Sequence, residues 1–168
     1  MRRDAFHIIC GSTGAGKSTY AKRLADDVGG IHFAIDEWMV ALFWKDSPDP
    51  IEFAWAMERV NRCEVQIAAM ALQCVKRGVP AILDLGFTKA AHRRKFAEIA
   101  SASNIDVTLH YLDVPADVRW MRVQNRNIVK GAAFSLEVDR GMFDFVEGMW
   151  EAPNDLEITE LNGLLIRE

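Results

Sequence analysis

Gly11-Ser12-Thr13-Gly14-Ala15-Gly16-Lys17-Ser18 follows the pattern G-x-x-x-x-G-K-S, a spacing suited to holding a polyphosphate. Glycine tolerates backbone conformations closed to other residues. Here it lets successive N–H groups turn inward around an anion. The apolar run Phe6-His7-Ile8-Ile9-Cys10 leads into the loop and a helical run from Lys17 to about Val28 leads out. The first helical turn then adds its unpaired N–H groups and the positive end of its dipole. Lys17 is placed to reach the β- and γ-phosphates, and the Ser18 hydroxyl to ligate Mg²⁺. Gly11, Ser12, Thr13, Gly14, Ala15, Gly16, Lys17, Ser18 and Thr19 form the expected nucleotide contact set, with ATP as ligand.

Two carboxylates sit where such chemistry needs them. Asp36 follows the strand-like run His32-Phe33-Ala34-Ile35. An acid there can accept the proton of an attacking hydroxyl, and Asp is equally favoured there as a helix cap. Glu37 beside it suits a first-turn partner of the helix dipole. Asp84 ends Ala81-Ile82-Leu83-Asp84, resembling the Walker B strand that holds the Mg²⁺ shell. Arg119, Arg122 and Arg126 are spaced three and four apart and so share one helix face. Lys130 extends the basic run toward Gly131. Arginines closing over a triphosphate neutralise charge in the transition state, although charge runs are more often solvated faces.

The elements that must position these groups alternate between strands and helices. Strands are expected at about 6–10, 32–35, 81–85 and 107–112, and a last one within 156–166. Helices are expected at about 17–28, 38–44, 51–77, 88–103 (capped by Thr88), 115–127 and 135–149 (capped by Ser135). Gly29-Gly30, the prolines at 48 and 50, and Gly78 with Pro80 punctuate them. Val60, Cys63, Ile67, Met70 and Cys74 trace one buried stripe of the longest helix. The alternation implies a parallel sheet covered on both faces, with Gly11, Asp36 and Asp84 converging at its carboxyl edge.

Composition narrows the classes. The 168 residues suffice for one domain with a real core. The net charge of −4 offers no general attraction to nucleic acid or an anionic membrane. No apolar stretch is long enough to span a bilayer, and the N-terminal run is needed as a strand rather than a leader. Cysteines 10, 63 and 74 are odd in number and lack C-x-x-C spacing, which fits a reduced, cytoplasmic protein. The four histidines are scattered, and His7 and His110 fall in strands.

Taken together, these motifs resemble the small P-loop kinases related to polynucleotide 5′-hydroxyl kinase, zeta toxin and chloramphenicol phosphotransferase. The resemblance is carried by residues 11–21, Ile35-Asp36 and Ile82-Leu83-Asp84. It continues through Tyr111-Leu-Asp-Val-Pro115 into Arg122 and Arg126, and through Phe134-Ser-Leu-Glu-Val-Asp-Arg-Gly-Met142. It implies a P-loop NTPase three-layer α/β/α fold with a five-stranded parallel sheet in order 2-3-1-4-5. It also implies a helical lid over about 119–135 within a single 1–168 domain. By the same likeness Asp36 is the general base, Arg126 contacts the transferring phosphate, and Arg119 with Glu151-Ala-Pro-Asn-Asp155 flanks the nucleotide base. Extra residues separate Asp84 from Arg93-Arg94 relative to polynucleotide kinases.

Trp38, Met39, Leu42, Phe43, Trp44, Phe53, Trp55 and Met57 crowd the segment after the second strand, with only Lys45 and Arg59 as nearby cations. They suit a core, or an apolar pocket for a small hydroxyl-bearing acceptor, better than a nucleic-acid channel. Trp38 and Trp44 are the two expected beside the acceptor. The first reading is therefore an ATP- and Mg²⁺-dependent kinase of a small alcohol, monomeric or homodimeric. Transfer to a 5′-hydroxyl nucleic acid end and a nucleotide-binding regulatory ATPase or switch are the alternatives.

Overall fold

The computed structural model describes residues 5–129 and 138–167. In chain order the elements are β1 (Ala5–Cys10), α1 (Lys17–Val28), β2 (Ile31–Ala34), α2 (Ile35–Phe43), a 3-10 turn (Trp44–Asp46) and α3 (Phe53–Val75). There follow β3 (Ala81–Asp84), α4 (Ala90–Ser101), β4 (Asp106–Leu112), α5 (Ala116–Val129), α6 (Arg140–Met149), α7 (Asp155–Glu160) and β5 (Leu164–Ile166). The five strands are all parallel, in the order β2-β3-β1-β4-β5. This is the P-loop NTPase α/β arrangement anticipated above.

Alternation along β1 divides the core. Phe6, Ile8 and Cys10 face one side with Leu83 and Leu109, under Cys63, Ile67 and Ala71 of α3 and Phe96 and Ala100 of α4. Ile9 faces the other side with Ile82 and Leu112, against Ala21, Leu24 and Ala25 of α1. Both faces are covered, so every residue of β1 is buried. This is why the strand reads as apolar on both faces, apart from His7, rather than alternating.

Register then brings the chemistry together. Ala34 pairs with Asp84, and Ile8 pairs with Leu83. Asp84 thus ends the middle strand between the one that delivers Asp36 and the one that delivers Gly11.

Several local expectations are corrected. Met70 is 44% exposed, and the buried seam of α3 runs through Cys63, Ile67, Ala71 and Val75 instead. Ala68 and Ala71 are buried in the same cluster, and hydrophobicity alone marks such small residues poorly. Thr88 does not cap α4; the Glu151 carboxylate accepts from the Ala90 N–H at 2.9 Å and from Lys89 at 3.0 Å. Asp36 is not the cap of α2, since Ala34 holds that position. Glu37, in the first turn of α2, pairs with Lys22 at 2.9 Å.

Asp139 caps α6 by accepting from Met142 N–H at 2.7 Å. The expected cap Ser135 lies outside the described residues, as do Lys130, Gly131 and the final part of the expected lid. The C-terminal segment holds α7 as well as β5. It is tied down by the fully buried Arg93, which donates to Phe87 O (3.0 Å) and to both carboxylate oxygens of Glu157.

Candidate active site

A cleft of about 700 Å³ opens at the carboxyl edge of the sheet. One end is the glycine loop, whose Gly14 and Gly16 have φ of 82° and 90°, the left-handed values the sequence anticipates. Gly16 forms the N-cap of α1 with no side-chain partner, so the first-turn N–H groups remain available to an anion. Lys17 Nζ reaches back along the loop to Ser12 O at 3.2 Å.

Gly14 is fixed by a close approach. A Cβ there would lie 2.5 Å from Arg119 O at the start of α5. Gly14→Ala must therefore push α5 off the loop or break the turn. We expect a cost of about 1–3 kcal/mol and at least about tenfold weaker nucleotide binding, read by thermal unfolding and by titration.

Asp36, Asp84, Ser18, Arg122 and Arg126 line the same cleft. Opposite charges face one another there. Desolvation and the Asp84 charge raise the Asp36 pKa against the opposing pull of Lys17 and Arg126. Desolvation lowers the Lys17 pKa, with Asp84 and Asp36 opposing. Asp84 is itself buried, with His32 Nε2 at 3.5 Å. Arg126 has a buried Nε with no hydrogen-bond partner, a donor left for an incoming acceptor.

Arg119 is engaged differently from the expectation that it meets the nucleotide. It is 5% exposed and does not line the cleft. Its guanidinium donates to Thr13 O (3.2 Å), Val114 O (2.8 Å) and both oxygens of Glu147 (2.8 Å each). Glu147 Oε2 also accepts from Ser12 Oγ at 2.7 Å. Through this clamp the connection after β4, α5 and α6 all hold the loop.

These bonds, those of Arg119 first, depress the Glu147 pKa. A depressed carboxylate contributes stability above its ordinary pKa and loses it as pH falls through the folded value. Glu147→Gln is expected to cost about 1 kcal/mol at neutral pH, a modest figure because the side chain is 35% exposed. The difference from wild type should shrink on acidification below about 4.3 in thermal denaturation.

The segment 151–155 is likewise committed to structure. Glu151 caps α4, and Asn154 caps α7 by accepting from Glu157 N–H at 2.9 Å. Neither lines the cleft.

The far end of the cleft is apolar, walled by Met39, Phe43, Trp44, Ile51, Trp55 and Val60. Trp44 lies there as expected. Trp38 packs against the core beneath instead, and Trp55 takes the place anticipated for it.

His7 and His110 lie in strands β1 and β4 as expected, and their connection carries no signal in the sequence. His7 Nδ1 lies 2.9 Å from His110 Nε2, and Tyr20 Oη lies 2.8 Å from His110 Nδ1. Burial holds both rings neutral, with pKa values lowered to about 4 for His7 and about 3 for His110. The polar chain pins α1 to the sheet just behind the loop.

The site also suits the groups expected in it. The glycine cradle, the Lys17 ammonium and the unpartnered Arg126 Nε fit a polyphosphate. Among the described residues no three His, Cys, Asp or Glu side chains gather as a ligand set. Mg²⁺ needs none, because it takes one or two protein oxygens and completes its shell with phosphate and water. Asp84 and Ser18 offer those oxygens from the cleft wall.

Solved structures share this fold. A putative kinase from Chloroflexus aurantiacus superposes with a TM-score of 0.70 at 16% identity, covering 98% of this chain and 87% of its own. A sugar kinase from Janibacter sp. gives 0.64 at 17%, covering 97% and 84%. The Mycobacterium tuberculosis APS kinase, in complex with AMPPNP and APS, gives 0.63 at 16%, covering 99% and 90%. No curated protein sequence matches the chain. Among the described residues no helix is long and apolar enough to cross a membrane. The sequence profile of the AAA domain family matches residues 6–142, more than half of the chain, and the protein belongs to that family.

Proposed function

We propose that the cleft is the active site of an ATP-dependent phosphotransferase that passes the γ-phosphoryl group to a hydroxyl of a small organic acceptor. The observation that carries this reading is the continuity of one cavity. The phosphate cradle leads past Asp36, at the start of α2, into a chamber lined by Met39, Val40 and Phe43 farther along that helix. A pure nucleotide switch has no need of such a chamber. The fold shared with a sugar kinase and an APS kinase supports the same reading, as do the motifs that resemble polynucleotide kinases.

In this mechanism the loop amides and Lys17 hold the β- and γ-phosphates, and Arg122 and Arg126 close over them from α5. The acceptor oxygen attacks γ-phosphorus as the bond to the β–γ bridging oxygen breaks. The hydroxyl proton passes to the Asp36 carboxylate, and ADP leaves with the bridging electrons. Asp84 and Ser18 would hold Mg²⁺, which supplies charge neutralisation at the β- and γ-oxygens. The raised pKa of Asp36 in the free protein makes it a stronger proton acceptor than an ordinary carboxylate.

The test is transfer of label from γ-labelled ATP over a panel of alcohols, sugars and 5′-hydroxyl oligonucleotides, with Lys17→Ala as the inactive control. Labelled small-molecule product supports the reading. Label only on oligonucleotide ends would move the acceptor to nucleic acid. Hydrolysis without transfer would leave a regulatory ATPase.

A further inference from the structure

We infer that the acceptor is an uncharged alcohol with an apolar, ring-sized body, and that the chamber rejects anionic acceptors. This rests on the phosphotransferase reading and adds the chemistry of its substrate.

Among the described residues the chamber walls include Met39, Phe43, Trp44, Ile51, Trp55 and Val60, with the Ser47 hydroxyl beside them. Ser47 Oγ already donates to Trp44 O at 2.8 Å. Trp44 is 47% exposed within this concave wall, an aromatic face presented to whatever enters.

Charge points the same way. Among the described residues the cations lining the cavity are Lys17, Arg122 and Arg126. All three belong to the loop or to α5, on the phosphate side. Of the two basic residues in this aromatic segment, Lys45 does not line the cavity and Arg59 is turned onto protein. Its guanidinium lies 3.8 Å from the Trp55 ring centroid and 5.8 Å from that of Phe43. It also donates to Trp55 O at 3.1 Å and lies 3.5 Å from Glu58. Asp36, at the entrance to the chamber, repels a second anion.

A carboxylate or phosphate on the acceptor would therefore shed its hydration with no cation among the described chamber residues to replace it. A polyol would leave several hydroxyls facing hydrocarbon. A flat apolar alcohol loses neither, gains burial against the tryptophans, and turns its single hydroxyl toward Asp36.

Paired probes test this: naphthylethanol and naphthylacetate share a ring and differ in charge. Binding to the intact protein is followed by energy transfer from tryptophan and by calorimetry. Transfer is followed with γ-labelled ATP, magnesium, naphthylethanol and glucose. Naphthylethanol should bind at least about tenfold more tightly than naphthylacetate and should receive label in preference to glucose. Trp44→Ala and Trp55→Ala should raise its KM by about tenfold with kcat and nucleotide affinity little changed. The Phe replacements, which keep a ring, should restore most of the loss.

Equal or tighter binding of naphthylacetate, binding of neither probe, or a preference for glucose overturns the inference. In the last case label still moves, so the phosphotransferase reading survives. Tryptophan-dependent binding of naphthylethanol with no label reaching any alcohol overturns both, and does so through the transfer arm alone.

Discussion

Asp36→Asn is expected to lower phosphoryl transfer by about 10²–10⁴-fold, the range of a lost general base, while nucleotide affinity stays nearly constant. The amide keeps the shape of the carboxylate and cannot take the hydroxyl proton. Two further signatures follow from the raised pKa of Asp36. Transfer requires the ionised form, so the acid limb of the wild-type rate profile should lie above the ordinary Asp value of about 3.9 and vanish in the variant.

Stability should move the other way. A carboxyl whose folded pKa is raised contributes stability below its ordinary pKa and loses it as pH rises through the folded value. At neutral pH the ionised Asp36 beside Asp84 therefore weakens the free protein, and Asp36→Asn should raise its Tm. The gain should disappear below about pH 4. Unchanged transfer in Asp36→Asn would remove this residue from the mechanism.

Arg126→Ala should cost roughly 10³-fold in transfer, the lower range for an arginine that neutralises phosphoryl charge. Its buried Nε has no partner in the free protein, so removing the side chain breaks no hydrogen bond at that nitrogen. The thermal midpoint should change little while kcat collapses. Arg126→Lys should recover only part of the rate, because an ammonium keeps the charge but not the planar fork. Arg119→Ala should behave in the opposite manner. It removes the clamp on Thr13, Val114 and Glu147, so the protein should lose stability first and turnover as a consequence. Steady-state kinetics beside thermal unfolding separates the two arginines.

That contrast shows what the chain discloses before it folds. Gly11 to Ser18 is legible because each residue type answers a local need: glycines for positive φ, lysine for charge, a strand before and a helix after. Asp84 is legible because it terminates a buried strand. The three arginines look equivalent along one helix face, and spacing alone cannot separate them. What divides Arg119 from Arg126 is Glu147, a partner on α6. The same holds for Glu151, which reaches Ala90 across 61 positions to cap α4. Such carboxylates carry no local signal, since their role is set by tertiary contact. Trp55 lines the cleft where Trp38 was expected for a related reason: the hydrophobicity of a tryptophan does not say whether it faces the sheet or the cleft. Alanines 68 and 71 were silent because close helix packing selects small size, which a hydrophobic stripe does not register.

The central claim is that the loop, Lys17 and the α5 arginines form a site for the phosphates of a nucleoside triphosphate. The most direct measurement is calorimetric titration of the protein with a non-hydrolysable ATP analogue and magnesium, alongside Lys17→Ala. One-to-one saturable binding, weakened at least about tenfold by the substitution, is the expected result. Absence of binding by any purine triphosphate, or equal binding by Lys17→Ala, would contradict it.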